Sequence, residues 1–355
     1  MNNTYRKSIF LSLFSVWAII SLACGFFTPK SEPTPTEPPK ISTATSAPAA
    51  TSTPVNTPIV EPPANTPTVE IPVDTPTVEV IPGETYLGDA VQDFGYALTS
   101  VSVADPATPG VLYKPETGKK LVAVEVIISN VSGEVLQINP LNANLLDNEG
   151  FVYQADLNGI EGQLGLMDLF PGEQARGWVS YILPENATAA NIKYVTEYFG
   201  SNSLQASLAA PPADHQKISV PLKPVILDAK LGDVVEQYGY SLSAAAVEDP
   251  AAPGVIYTPR QGHKLVAVEL VLGNVSAAEA LNINPYYATL VDSNGFVYAA
   301  AFTGRDGQIA LTKINVGEKV KGWLSFTIPE NAVPAYLKYQ TAELGGNYLS
   351  TGTVK

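Results

Sequence analysis

The chain has 355 residues, with 20 Lys and Arg against 34 Asp and Glu, a formal charge of −14. A field of that sign repels phosphate backbones and argues against nucleic-acid binding. The single cysteine, Cys24, rules out an intrachain disulfide and a Cys-built metal site. The two histidines, His215 and His263, give little support to imidazole catalysis or a His-rich zinc site.

At the N-terminus Arg6 and Lys7 precede an apolar run from Ser8 to Ala23, the layout of a secretory signal over residues 1–23. Ser21-Leu22-Ala23-Cys24-Gly25 resembles a bacterial lipobox, with Ser21 where leucine is usual. That resemblance makes Cys24 the lipid-attachment site. The competing reading is an uncleaved anchor, because Ile9 to Phe27 is uncharged over about 19 residues, enough to span a bilayer. Both readings place the rest of the chain outside the cytoplasm, tethered to the outer face of the bacterial cytoplasmic membrane or the cell surface.

Residues 24–84 are rich in Pro and Thr, with a recurring motif at Asn56-Thr-Pro, Asn65-Thr-Pro and Asp74-Thr-Pro. Such a segment buries too little apolar area to offset its chain entropy, so a disordered stalk is expected. In polyproline II, at ~3.1 Å per residue, about 55 of these residues would reach on the order of 170 Å.

Beyond the stalk the sequence repeats. Leu87-Gly88-Asp89 returns as Leu231-Gly232-Asp233, and GKKLVAVEVIISNVS (118–132) as GHKLVAVELVLGNVS (262–276). Gly150-Phe-Val-Tyr153 returns as Gly295-Phe-Val-Tyr298, and Gly177-Trp178 as Gly322-Trp323. A spacing of about 145 residues is far too long for a solenoid unit, so two whole domains are expected, at 85–208 and 229–355. Residues 209–228 form a proline-containing linker.

Within each copy, short segments of period two separated by turn residues predict an antiparallel β-sandwich. In the long strand at 119–129, Val122, Val124, Val126 and Ile128 make one aliphatic face, while the other carries Glu125. Further strands are expected at Tyr96–Val103, on both sides of Asp147-Asn148-Glu149-Gly150, at Glu173–Leu183 and at Asn191–Glu197. The stretch 156–170 is open between a short helix and an irregular crossover.

The ordered set Leu-Gly-Asp, Gly-Tyr, the valine-rich strand ending in Asn-Val-Ser, Gly-Phe-Val-Tyr, Pro-Gly-Glu, Gly-Trp and Pro-Glu-Asn resembles the DUF4352 family of secreted, often lipid-anchored bacterial domains. The resemblance covers about 86–200 and 230–345. It implies two tandem immunoglobulin-like antiparallel sandwiches of unknown role and supplies no catalytic residues.

Candidate chemistry is sparse. Glu125 and Glu269 read as solvated or Lys-paired acids on an open sheet face. Asp147 and Asp292 read as hairpin-turn residues rather than calcium ligands. Trp178 and Trp323 read as core, with a carbohydrate platform as the weaker alternative, and His263 reads as a surface residue. The Pro/Gly loops Asp105–Tyr113 and Asp249–Tyr257 are the favoured binding surfaces, because loops on a rigid sandwich commonly carry recognition. The expectation is a non-enzyme that binds an envelope protein or polysaccharide, without cofactor, metal or catalytic residues. Two alternatives stand beside it. A hydrolase needs converging carboxylates, and a small-solute carrier needs an apolar cleft between the domains, which the short linker permits but does not lead one to expect.

Overall fold

The computed structural model describes residues 85–355 except 111–112, 157–158, 198–200, 224–226, 256, 302–303, 343–345 and 355. The signal segment, Cys24 and the stalk up to residue 84 lie outside the described residues. Among those described, no helix is long and apolar enough to cross a membrane.

The first copy contains β1 (Ala90–Asp93), β2 (Tyr96–Ala104), β3 (Lys119–Asn130), β4 (Leu136–Ile138), β5 (Ala143–Asp147), β6 (Val152–Tyr153), β7 (Met167–Leu169), β8 (Gln174–Pro184), β9 (Ala189–Val195) and β10 (Ser203–Ser207). One sheet runs β1-β2-β3-β8, the other β10-β9-β5-β6, and β4 pairs with β7 as a short ribbon. The second copy repeats this as β11 (Val235–Gln237), β12 (Tyr240–Glu248), β13 (His263–Asn274), β14 (Leu281–Ile283), β15 (Ala288–Asp292), β16 (Val297–Ala299), β17 (Thr312–Ile314), β18 (Lys319–Pro329), β19 (Pro334–Gln340) and β20 (Tyr348–Gly352). Its sheets run β11-β12-β13-β18 and β16-β15-β19-β20, with the ribbon β14-β17. The fold is two tandem antiparallel sandwiches, as the strand pattern predicts. The described residues of the stretch 156–170, 156 and 159–170, form the irregular crossover, carrying isolated bridges at Asp156 and Gln163 and then β7.

The alternation in β3 fixes the core. Val122, Val124, Val126 and Ile128 are at most 1% exposed and cluster with Leu145, Ile192, Tyr194 and Leu204 from the facing sheet. Each such aliphatic side chain contributes about 1.5–3 kcal/mol by leaving water. The second copy does the same with Val266, Val268, Leu270 and Leu272 against Leu290, Leu337, Tyr339 and Leu349.

The Asn-Val-Ser turn contributes more than its turn propensity. Asn130 is fully buried; its Nδ2 donates to the carbonyls of Glu134 (2.6 Å) and Leu169 (2.8 Å), and its Oδ1 accepts from the Ser132 amide (2.9 Å) and hydroxyl (2.8 Å). Asn274 repeats the pattern with Glu279 (2.7 Å), Ile314 (3.2 Å) and Ser276. One side chain therefore ties the end of the central strand to the ribbon. Asn274→Ala strands a buried amide and carbonyls, and a loss of about 1–3 kcal/mol is expected in urea unfolding. An unchanged midpoint would contradict this role.

Candidate functional site

Thr77–Lys355 forms one compact unit, so both copies belong to it. They meet at the Pro-Gly-Glu turn that precedes β8. Glu173 is fully buried there, with Oε1 accepting from Tyr336 Oη (2.5 Å) and Oε2 from Lys338 Nζ (2.5 Å) and the Phe170 amide (2.7 Å). Lys338 Nζ also donates to the Asp168 carbonyl (3.1 Å) and lies 4.3 Å from the Phe170 ring centre. Tyr348 Oη donates to Asp168 Oδ2 (2.5 Å), and its ring meets Phe170 edge-on. Burial pushes the Lys338 ammonium down in pKa, with the Glu173 charge opposing. Burial, then Glu173, pushes the Tyr336 hydroxyl up and keeps it a donor. Beside this cluster Val291, Val297 and Tyr336 of the second copy pack into the core of the first. The Gln174 amide also bonds to the Gly295 carbonyl at 2.8 Å.

The linker does not hang free. The Asp89 carboxylate, 1% exposed, receives His215 Nε2 at 2.8 Å and the Ile218 amide at 2.9 Å, and Ala90 donates back to the Ile218 carbonyl at 2.9 Å. Burial alone would raise the Asp89 pKa. The hydrogen bonds from His215, Ile218 and Tyr86 together outweigh it and hold the carboxyl below its usual 3.8.

Next to the joint lies a cleft of about 410 Å³ walled by both copies. The first copy supplies the outer face of β3 and β8 with Glu125, Arg176 and Trp178, plus Gly162 from the crossover. The second supplies Arg260 and His263 from the turn into β13, Phe296 and Tyr298 from the β15–β16 hairpin, and Asn294 and Asn331 from neighbouring turns. Glu125 stands opposite Trp178 in the β3–β8 register, which turns both away from the main core. Trp178 accordingly is half-buried over Ala107, Leu121 and Ala123 rather than central, which departs from the core expectation.

The acids in the cleft are already occupied. Glu125 accepts from Arg176 Nε (2.8 Å) and Ser102 Oγ (3.0 Å). Burial raises the pKa of Glu125, but Arg176, Ser102 and Arg260 together bring it below the usual value. Asp292 Oδ1 accepts from the Asn294 (2.8 Å) and Phe296 (2.9 Å) amides and Oδ2 from Tyr298 Oη (2.9 Å), the same hairpin cap that Asp147 makes in the first copy. Arg260 is exposed, carries no ion pair with any described residue, and packs over the Gly162 backbone where a Cβ would collide with it. His263 is half-buried with Nδ1 3.1 Å from the Gln261 carbonyl; burial first, then Arg260 and Arg176, lower its pKa, so it is neutral at pH 7. It is less a surface residue than its position beside Gly262 suggests.

The favoured loop residues sit elsewhere. Asp105 pairs with Lys120 and Asp249 with Lys264, each at 2.7 Å. Tyr113 packs on Ala107, Leu121 and Ala123, and Tyr257 on Ala251, Leu265 and Ala267 with its hydroxyl bonded to Thr327. Both ends of each loop are thus fastened to its own sheet. The second loop reaches the cleft through Arg260, which follows Tyr257. The repeat does not reveal Arg260 as a site residue, because its counterpart in the first copy is Glu116. No cluster of three or more metal-ligating side chains occurs among the described residues.

Two all-β sandwiches in tandem, joined by a buried ion pair beside a cleft lined by aromatic and basic side chains, define the class. The chain belongs to the family described as a domain of unknown function, DUF4352, which matches residues 86–205 and 229–348. No curated protein matches it. Among solved structures it is similar to a candidate lipoprotein, ycdA, of Bacillus subtilis subsp. subtilis str. 168 (13% identity, TM-score 0.29), covering 33% of this chain and 37% of ycdA. The chain thus spans little more than a third of that protein. The yjhA protein of Bacillus subtilis (14% identity, TM-score 0.29) is matched over 35% of this chain and 98% of its own. The secreted protein MPT63 of Mycobacterium tuberculosis (12% identity, TM-score 0.29) is matched over 37% and 98%.

Two outcomes are expected. Lys338→Met leaves Glu173 buried without its cation and should cost about 3–5 kcal/mol in urea unfolding, and Glu173→Gln with Lys338→Met should recover part of it; equal loss in single and double variants would contradict the pairing. A folded-state pKa below the unfolded one means that the Asp89 contribution is complete above 3.8 and is lost as the pH falls through the lower folded value. The NMR shift of the Ile218 amide should therefore titrate with a midpoint below 3.8, and a midpoint at or above it would contradict the buried contact.

Proposed function

We propose that the chain is an exported, membrane-tethered binding protein without catalytic activity, and that its ligand is a small molecule derived from the cell envelope, held between the two sandwiches. The observation that carries this is the cleft itself. Its volume of about 410 Å³ falls within the range of small-molecule sites, and both copies are needed to wall it. Its walls mix aromatic side chains with a few polar groups rather than being purely apolar, which suits a polar ligand with a flat or ring-shaped body. Export and tethering rest on the secretory pattern of residues 1–23 and on lipid attachment at Cys24.

The hydrolase reading finds less support. Hydrolysis of a glycoside needs one carboxyl held protonated near neutral pH. Glu125 is shifted the other way by Arg176, and the Asp292 oxygens are taken by its own turn and Tyr298.

Asn331 is exposed at the rim, so Asn331→Trp fills the cleft without disturbing the core. Full-length protein in detergent micelles, incubated with a hydrolysed cell-envelope extract, washed and denatured, should release small molecules detectable by mass spectrometry. The same molecules should be absent from Asn331→Trp. Equal retention by both proteins would remove the cleft from the account.

A further inference from the structure

The two copies present the same tryptophan in different states. In the second, Trp323 is covered by its own Arg305, whose guanidinium carbon lies 3.9 Å from the ring centre and which is held there by Glu248 at 2.7 Å. In the first, Ile160 stands where Arg305 does, and Trp178 faces the cleft with no cation of its own copy over it among the described residues. The cation on that side comes from the other copy. Arg260 reaches across to Gly162, whose missing side chain and left-handed φ of 75° leave room for the guanidinium beside the Trp178 indole edge.

Charge in the cleft is unevenly matched. Arg176 and Glu125 neutralise each other at 2.8 Å, and Asp292 is bound into its turn, so among the described residues that line the cleft Arg260 is the guanidinium left with open donors, in a chain of net charge −14. Guanidinium donors of this kind pair with a carboxylate in bidentate fashion. Around it stand Trp178 and Phe296 as apolar walls, the amides of Asn294 and Asn331, and neutral His263. With Nδ1–H donating to Gln261, the Nε2 atom of His263 accepts a hydroxyl proton. A carboxylate at one end, a ring to lie on aromatic walls and hydroxyls for amide and imidazole partners together describe a carboxylated sugar.

We propose that the cleft recognises an acidic sugar of the uronic-acid class, with its carboxylate on Arg260 and its ring against Trp178. This rests on the cleft being the binding site and adds the chemistry of what it takes. The probe pair is glucuronate and glucuronamide, which differ at the carboxyl alone, titrated calorimetrically into the full-length protein. Glucuronate binds at least about tenfold more tightly than glucuronamide, and Arg260→Gln abolishes that difference. Arg260 is exposed and outside the core, and a circular dichroism spectrum matching the parent confirms that the variant folds. Equal affinity for the two probes, no heat with glucuronate, or undiminished discrimination in Arg260→Gln overturns the assignment. The retention experiment with Asn331→Trp separates the two ideas. Neutral molecules lost from that variant leave the cleft in place and reject only the acidic sugar, whereas equal retention rejects the cleft as well.

Discussion

The contact on which the rest depends is the ion pair between Glu173 and Lys338, both fully buried and 2.5 Å apart. Removing two charges from water is costly, and the pair is tolerable because the remaining valences are filled. The carboxylate accepts from Tyr336 and a backbone amide, while the ammonium adds a carbonyl and an aromatic face. Such an arrangement is sensitive to geometry: displacing one copy would strand several buried polar groups at once. A flexible tandem could not keep Arg260 over Gly162, so the joint and the cleft belong to one structural device.

The joint is also not repeated at the free ends. Where the first copy offers Phe170 and Asp168, the second has Asn315 and Lys313. Where the second offers Tyr336 and Tyr348, the first has Asn191 and Ser203. Glu318, the counterpart of Glu173, stays in solvent and bonds to Asn315 of its own turn. Head-to-tail contacts between unmodified repeats could propagate from chain to chain. The substitutions confine this contact to the pair within one chain, and they also leave Trp178 open while Trp323 is capped.

Much of the fold was legible in the sequence. The alternation in 119–129 reports a strand because one face must meet the opposite sheet, and the Gly150 and Gly295 turns need a left-handed residue that glycine supplies. Asn130 and Asn274 were legible as turn residues, but not as ties to Leu169 and Ile314, since those partners lie about 40 residues away. Trp178 reads as core because it follows Gly177 and precedes the alternating apolar residues Val179, Tyr181 and Leu183. Its own direction follows from the pairing with Glu125, which local pattern does not carry. The cleft was hidden for a related reason. Its walls come from segments far apart in the chain, and its distinctive residue occurs in one copy only. The signal lies in the differences between the copies, where Arg260, Tyr336 and Tyr348 stand opposite Glu116, Asn191 and Ser203.

The central claim is that the two sandwiches are held in one fixed relation by the buried joint. Residual dipolar couplings of backbone amides in weakly aligned full-length protein test it most directly. A single alignment tensor is predicted to fit the amides of both copies, on the relative orientation set by Glu173 and Lys338. Two tensors of different magnitude, one for each copy, would mean that the sandwiches reorient independently, and the joint and its cleft would fall together.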